Sequence, residues 1–310
     1  MKRFAALVAA VLMVVGALAL RQARDDEEQA DGPADAPRGI VCADDLEAVC
    51  DAAGVPVAGA QPAGRTADAL VAAADTGALG GDAWLVTAAW AALVIDERAR
   101  LGEAPLFEVA GEPLASSPVV LAVWADRADQ LARRCGAATG WRCLAEQSGT
   151  TLDAGDRVRA AGPDVDTAIG LVVAASQAAG LFGRSDFASN DFDPAFQSLA
   201  GRLASGQAGD PLRRMRVEGP GQVTAAGTVQ AGAANLASSF GTIVADPAAP
   251  ALRADVVLVV PRGAEVPSSQ RQDLADALRA AGWGAPADGP SDLPAGGVLA
   301  AIRTLWSQSR

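Results

Sequence analysis

Short apolar runs alternate with longer amphipathic stretches along most of this chain. Residues 39–42, 55–58, 83–86, 119–124 and 254–261 are unbroken runs dominated by Val, Ile, Leu and Ala. Runs of this kind predict strands buried on both faces. Between them, apolar positions recur every three to four residues, which predicts helices at 44–49, 66–74, 88–100, 126–134, 168–181, 194–203, 269–281 and 298–306. Weaker strands are expected at 158–161, 223–226 and 241–244. Thr66 and the Ser269/Gln272 pair stand where helix caps are needed. The alternation predicts an α/β fold of mostly parallel sheets flanked by helices.

The first residues follow a different rule. Met1-Lys2-Arg3 precedes an apolar run from Phe4 to Leu20, and Ala17-Leu18-Ala19 offers a small-residue cleavage site. That is the grammar of a secretory signal, and the run also reaches the lower length of a membrane span. Residues 1–24 are expected to be a signal peptide or a membrane anchor. The rest then lies outside the cytoplasm, secreted or as the ectodomain of a single-pass cell-membrane protein. Residues 25–38, acidic and without an aromatic, read as a linker.

Composition narrows the chemistry. The 310-residue chain carries a net charge of −12, which argues against nucleic acid as a partner. It contains no His and no Tyr, and Lys2 is its only lysine. Ser-His-Asp, Cys-His and His-ligated metal sites are thereby excluded, and Ser-Lys chemistry has no lysine beyond the leader. The expectation is a non-enzyme with no cofactor and no metal. Cys42, Cys50, Cys135 and Cys143 form two pairs of equal spacing. In an exported chain they suggest disulfides; of the three possible connectivities, the local pairs Cys42–Cys50 and Cys135–Cys143 are favoured. A continuous helix would hold such partners about 12 Å apart, so each segment must bend. Gly136 and Gly140 ease the second bend; nothing comparable helps the first.

Ser117-Pro118-Val119-Val120-Leu121-Ala122-Val123 with Trp141 downstream, and Gly162-Pro163-Asp164 before a long helix, carry a resemblance. The chain resembles the type 2 periplasmic-binding fold, in the molybdate-binding-like branch of extracellular solute-binding domains, relatives of which occur with von Willebrand factor A domains. The resemblance implies two α/β lobes with a ligand between them. Residues 39–118 and 224–310 would form lobe one and residues 119–223 lobe two, with the strand from Val119 crossing the hinge.

In open parallel sheets a ligand sits beyond the carboxyl ends of the strands, where helix N-termini present amides to anions. The candidate ligand residues are Asp44 after the first strand, Thr66 and Thr87 after the second and third, Ser116 and Ser117 at the crossing, and Asp164, Asp166 and Thr167 in the middle turn. Each is also suited to an ordinary cap or turn. The molybdate-like relatives surround an oxyanion with hydroxyls and amides. Here Ala43-Asp44-Asp45 stands in place of a hydroxyl-bearing turn, so a cationic or neutral polar ligand fits equally well. Trp124 and most other tryptophans are expected in the core, and Asp191 with Asp193 in a capping turn. The functional expectation is an extracytoplasmic protein that captures a small polar or anionic ligand between two lobes and meets a membrane transporter. The alternative is a membrane-anchored interaction ectodomain, a degenerate binding fold in an envelope assembly. A carboxylate-dependent hydrolase is a third reading.

Overall fold

The computed structural model describes residues 38–136, 140–153, 155–206, 209–239, 243–247, 250–287 and 292–309. The 1–24 segment and nearly all of the linker lie outside the described residues. Among the described residues, no helix is long and apolar enough to cross a membrane.

β1 (Ile40–Ala43) leads through a 3-10 turn, Asp44–Leu46, into α1 (Glu47–Ala53). Then come β2 (Val57–Gln61), α2 (Ala63–Val71), β3 (Ala83–Thr87) and α3 (Ala88–Leu101). β4 (Phe107–Val109) precedes the long β5 (Ala115–Trp124), followed by α4 (Ala125–Cys135), α5 (Trp141–Gln147) and the short β6 (Ala160–Ala161). The helices α6 (Ala168–Phe182), α7 (Pro194–Ala204) and α8 (Pro211–Glu218) lead to β7 (Ala225–Val229), α9 (Gln230–Ser239) and β8 (Ile243–Pro247). β9 (Arg253–Pro261), α10 (Ser268–Ala280) and α11 (Gly296–Gln308) come last.

The strands pair along one path, β2-β1-β3-β9-β5-β7-β6, with β4 also on β9 and β8 also on β5. β1 runs parallel to β2 and β3, and β6 parallel to β7. The α/β class holds, and the parallel pairing of the mostly parallel sheets expected is found at those strands. β9 and β5 run antiparallel to every neighbour. Helical crossovers produce parallel neighbours; β5 and β9 instead carry the chain between the two halves of the path. β5 changes partners midway. Its residues 115–118 pair with β9, and its residues 119–124 with β7 and β8. Pro118, which has no amide to donate, stands at the change.

Past that point β5 is buried on both faces. Val119, Leu121 and Val123 enter the main core, and Val120 and Ala122 enter a smaller one with Met215 and Leu236. Each of these Val, Leu and Met side chains contributes roughly 1.5–3 kcal/mol on burial. The period of two is that of a strand. Trp84, Trp90, Trp141 and Trp306 are fully buried, as expected. Trp124 is only half-buried, because β5 ends there and its indole Nε1 turns to donate to the Val223 carbonyl at 2.9 Å.

Both local disulfides are formed, with Cα atoms 6.7 Å apart for Cys42–Cys50 and 5.7 Å for Cys135–Cys143. The first bend comes from the change of structure itself: Cys42 lies in β1 and Cys50 in α1. Two expected caps are absent. α2 begins behind Pro62, so Thr66 lies inside its first turn, buried, with a hydroxyl that has no partner among the described residues. α10 begins behind Pro267 without a side-chain cap, so Ser269 and Gln272 form no capping box. In both, a proline just before the helix fixes a backbone angle that starts it early.

Candidate ligand cleft

The expected site residues separate into three groups. The first is a docked turn. Thr87, buried at the start of α3, donates its hydroxyl to the Ala168 carbonyl at 2.7 Å. Trp90 Nε1 donates to the Thr167 carbonyl at 2.9 Å, and the Gly64 amide at the start of α2 donates to the Asp166 carbonyl at 2.8 Å. From α11, Arg303 Nε donates to Asp166 Oδ1 at 2.8 Å and Nη2 to Asp68 Oδ2 at 2.9 Å. The Arg303 guanidinium lies 5.1 Å from the Trp90 ring centre. Its hydrogen bonds to Asp68 first and Asp166 second raise its already high pKa. Gly64 is needed for this approach, since a Cβ would stand 2.6 Å from Asp166 Oδ1. Asp164 Oδ1 accepts from the Asp166 amide at 2.9 Å, and Thr167 Oγ1 accepts from the Gly170 amide at 3.0 Å, capping α6. The chain's own turn thus packs against the N-termini of α2 and α3.

The second group sits where β5 changes partners. Ser116 Oγ donates to Asp255 Oδ1, and Ser117 Oγ accepts from the Ala231 amide at 3.1 Å, at the start of α9. Both serines are buried and neither lines a cavity described here.

The third group, Asp44 and Thr167, borders a cleft of about 560 Å³, within the range of small-molecule sites. It lies beyond the carboxyl ends of β1 and β7, where Asp44 and Val229 stand. Leu46, Val49, Ile169, Leu212 and Trp283 give it apolar walls. Helices α6, α8 and α9 begin around it, and their first amides already have partners. Asp45 Oδ1 accepts from the Ala168 amide at 3.0 Å and Oδ2 from the Ile169 amide at 2.8 Å. Asp210 Oδ1 accepts from the Leu212 and Arg213 amides at 2.9 and 3.2 Å. With Asp44 that makes three carboxylates around the cleft, and none of its lining residues is an Arg or Lys.

Withdrawal from bulk water pushes the Asp45 carboxyl up to about 6; the Ile169 and Ala168 amides pull the other way, and Asp44 adds a smaller upward push. Asp45 nevertheless keeps an exposed surface at the rim, so solvent screens its charge more than full burial would. Asp45, Asp210 and Trp283 were not among the expected site residues. Asp210-Pro211 carries a readable signal, an N-cap before a proline at the first helical position. Trp283 reads as core from sequence and is 94 % buried by its neighbours, yet borders the cleft. No group of three acidic or sulfur ligands that could hold a metal occurs among the described residues.

Known structures share this fold. Iron-bound HitA from Pseudomonas aeruginosa aligns with a TM-score of 0.57 at 13% identity, covering 87% of this chain and 98% of that one. A periplasmic thiamin binding protein aligns at 0.52 and 12% identity, covering 87% and 95%. The periplasmic binding protein P5PA aligns at 0.51 and 12% identity, covering 87% and 96%. The chain therefore has the two-lobed fold of periplasmic binding proteins. No protein-family model matches the sequence, and no curated protein does.

Proposed function

We propose that this chain is an extracytoplasmic solute-binding protein that captures a small organic cation between two lobes, residues 39–118 with 224–310 and residues 119–223, and presents it to a membrane transporter. One observation carries the reading. The helix N-termini around the cleft, which would suit an anion, are already occupied by Asp45 and Asp210. A free anion would have to displace these carboxylates and face Asp44 as well. A cation meets charge of the right sign, with Trp283 and aliphatic walls for an apolar body. This counts against an oxyanion of the molybdate type and for the polar alternative. The non-enzymatic reading agrees with the absence of His and of any lysine beyond Lys2.

The docked 164–167 turn favours a second reading, the membrane-anchored interaction ectodomain, because it replaces ligand contacts with contacts of the chain to itself. Calorimetric titration of the full chain separates the two, with tetramethylammonium, 1,4-diaminobutane, sodium acetate and sodium sulfate as probes. The solute-binding reading expects heat from the organic cations and weakened binding in Asp45→Asn/Asp210→Asn. Absence of heat from both organic cations removes the cation reading and leaves the interaction ectodomain.

A further inference from the structure

A second cavity lies away from the cleft, and its charge is opposite. It has a volume of about 310 Å³ and is bordered by Arg157, Arg159, Arg202 and Arg214 with the hydroxyls of Ser148 and Ser205. Four arginines around one cavity stand out in a chain with net charge −12.

The cavity is a built feature of the fold. The Gly149 amide donates to the Val158 carbonyl and the Val158 amide to the Thr150 carbonyl, both at 2.9 Å, which holds the segment carrying Arg157. The Arg159 amide donates to Thr224 Oγ1 at 3.1 Å, and Thr224 Oγ1 donates to the Arg157 carbonyl at 3.1 Å, joining that segment to the approach of β7. Gly206, just past α7, presses so closely on β6 that a Cβ there would stand 1.8 Å from the Ala160 carbonyl oxygen.

Helix C-termini account for part of the arginine cluster. Arg214 Nη1 donates to the Gly206 carbonyl at 2.9 Å, and Arg202 Nη1 reaches the Ala145 carbonyl, near the end of α5, at 3.4 Å. Cations complement the negative end of a helix. Yet a guanidinium has five N–H donors, and each of these bonds uses one. Arg214 also pairs with Glu218 at 3.2 Å. Arg159 bonds the amide oxygen of Gln222, which is uncharged. No ion pair joins Arg157, Arg159 or Arg202 to a carboxylate among the described residues. After capping and the one pair with Glu218, three positive charges remain around one small cavity, and like charges held together without a counter-ion repel.

We propose that this pocket binds a phosphate-type oxyanion, free or as the headgroup of an anionic lipid. The forked guanidinium matches the geometry of such a group, two N–H donors to two oxygens. Ser148 supplies a hydroxyl donor for a remaining oxygen, while the Ser205 hydroxyl already donates to the Arg202 carbonyl at 3.1 Å. The site is distinct in place and in charge from the acidic cleft, so it stands or falls independently of the ligand proposed there.

The test uses the full chain and two probes. In the first arm, sodium phosphate and pyrophosphate are compared with sodium chloride at equal ionic strength by thermal shift and calorimetry. In the second, flotation with phosphatidylglycerol vesicles is compared with flotation on phosphatidylcholine vesicles. The proposal expects specific phosphate binding, co-flotation with the anionic vesicles only, or both. It also expects at least a ten-fold loss in Arg157→Gln/Arg159→Gln and partial retention in Arg157→Lys/Arg159→Lys. Arg157 and Arg159 are exposed, so these variants retain the fold, checked by an unchanged melting temperature in chloride. Binding in the first arm identifies a free ion; binding confined to the second identifies the headgroup. A chain indifferent to both probes, or a Gln variant that responds like the parent, overturns the proposal.

Discussion

The two cavities are made from opposite ends of helices. Around the cleft, α6 and α8 present their N-terminal amides, and aspartates cap them. Around the second cavity, the C-terminal ends of α5 and α7 present carbonyls, and arginines meet them. Each set of caps obeys the helix dipole. Each also leaves charge over, because a carboxylate or guanidinium has more bonding capacity than its cap uses. The cavity's leftover charge is therefore opposite to that of the helix ends that attracted it. A helix N-terminus alone would point to an anion; a capped one points to a cation. Helix starts read without their caps therefore favour an anion, and the caps are what the cation proposal rests on.

The comparison breaks most forcefully at Gly206. A methyl group there lands on the Ala160 backbone, and forcing it in costs about 3 kcal/mol. Gly206→Ala is expected to lower the urea midpoint accordingly and to abolish the phosphate response. Cation titration of the cleft should stay as in the parent, since Gly206 is not among the residues that line it. Loss of both responses together would mean that the cavities are one cooperative unit.

Asp210→Ala gives a smaller and more selective effect. It removes the cap of α8 at about 1 kcal/mol of stability, takes one negative charge from the cleft and frees two amides. Organic-cation affinity should fall, and the cleft should begin to accept sulfate, read in an Arg157→Gln/Arg159→Gln background so that the second cavity does not contribute. Calorimetry of the variant against both ions reads the change. An unchanged preference would show that capping does not set the cleft's sign.

How much of this was legible in the sequence depends on what kind of signal each residue carries. The runs at 119–124 and 254–261 announced β5 and β9, because strands covered on both faces must be apolar throughout. Helices α8 and α9 were not foreseen. The first is PLRRMRVE, dominated by charge, and the second, QAGAANLASS, is small and polar with little apolar periodicity. Asp44 and Thr167 border the candidate cleft. Thr87 and Asp166 were placed correctly at element ends but are engaged by the chain's own turn, a partner far away in sequence. Trp283 reads as core whether or not one edge meets a cavity, and of the Asp44-Asp45 pair only the first was among the expected ligand residues, because the hold of Asp45 on the start of α6 spans more than 120 residues of sequence.

The smallest effect comes from changing the cleft's charge without changing an atom other than hydrogen. Asp45 has its carboxyl pushed up to about 6 by loss of bulk water, against 3.8 for the same group in the open. Between those two values the folded chain holds a proton that the unfolded chain has released. Folding stability from this group therefore rises as pH falls from about 6 to about 4, is complete below that window and is lost as pH rises through 6. Ligand binding runs the other way. Protonation removes one of the three negative charges beside the cleft, so affinity for tetramethylammonium should drop between pH 7 and pH 5, by about five-fold for one screened charge at contact distance. No aspartate or glutamate lines the phosphate pocket, so its response to sulfate, an ion whose own charge is constant in that window, should not follow the cleft's pH profile. Asp45→Asn should flatten the cation profile and leave the sulfate profile alone. A cation profile that keeps its slope in Asp45→Asn would assign the proton to another group, and the capping carboxylate would then be a structural cap with no hold on the ligand.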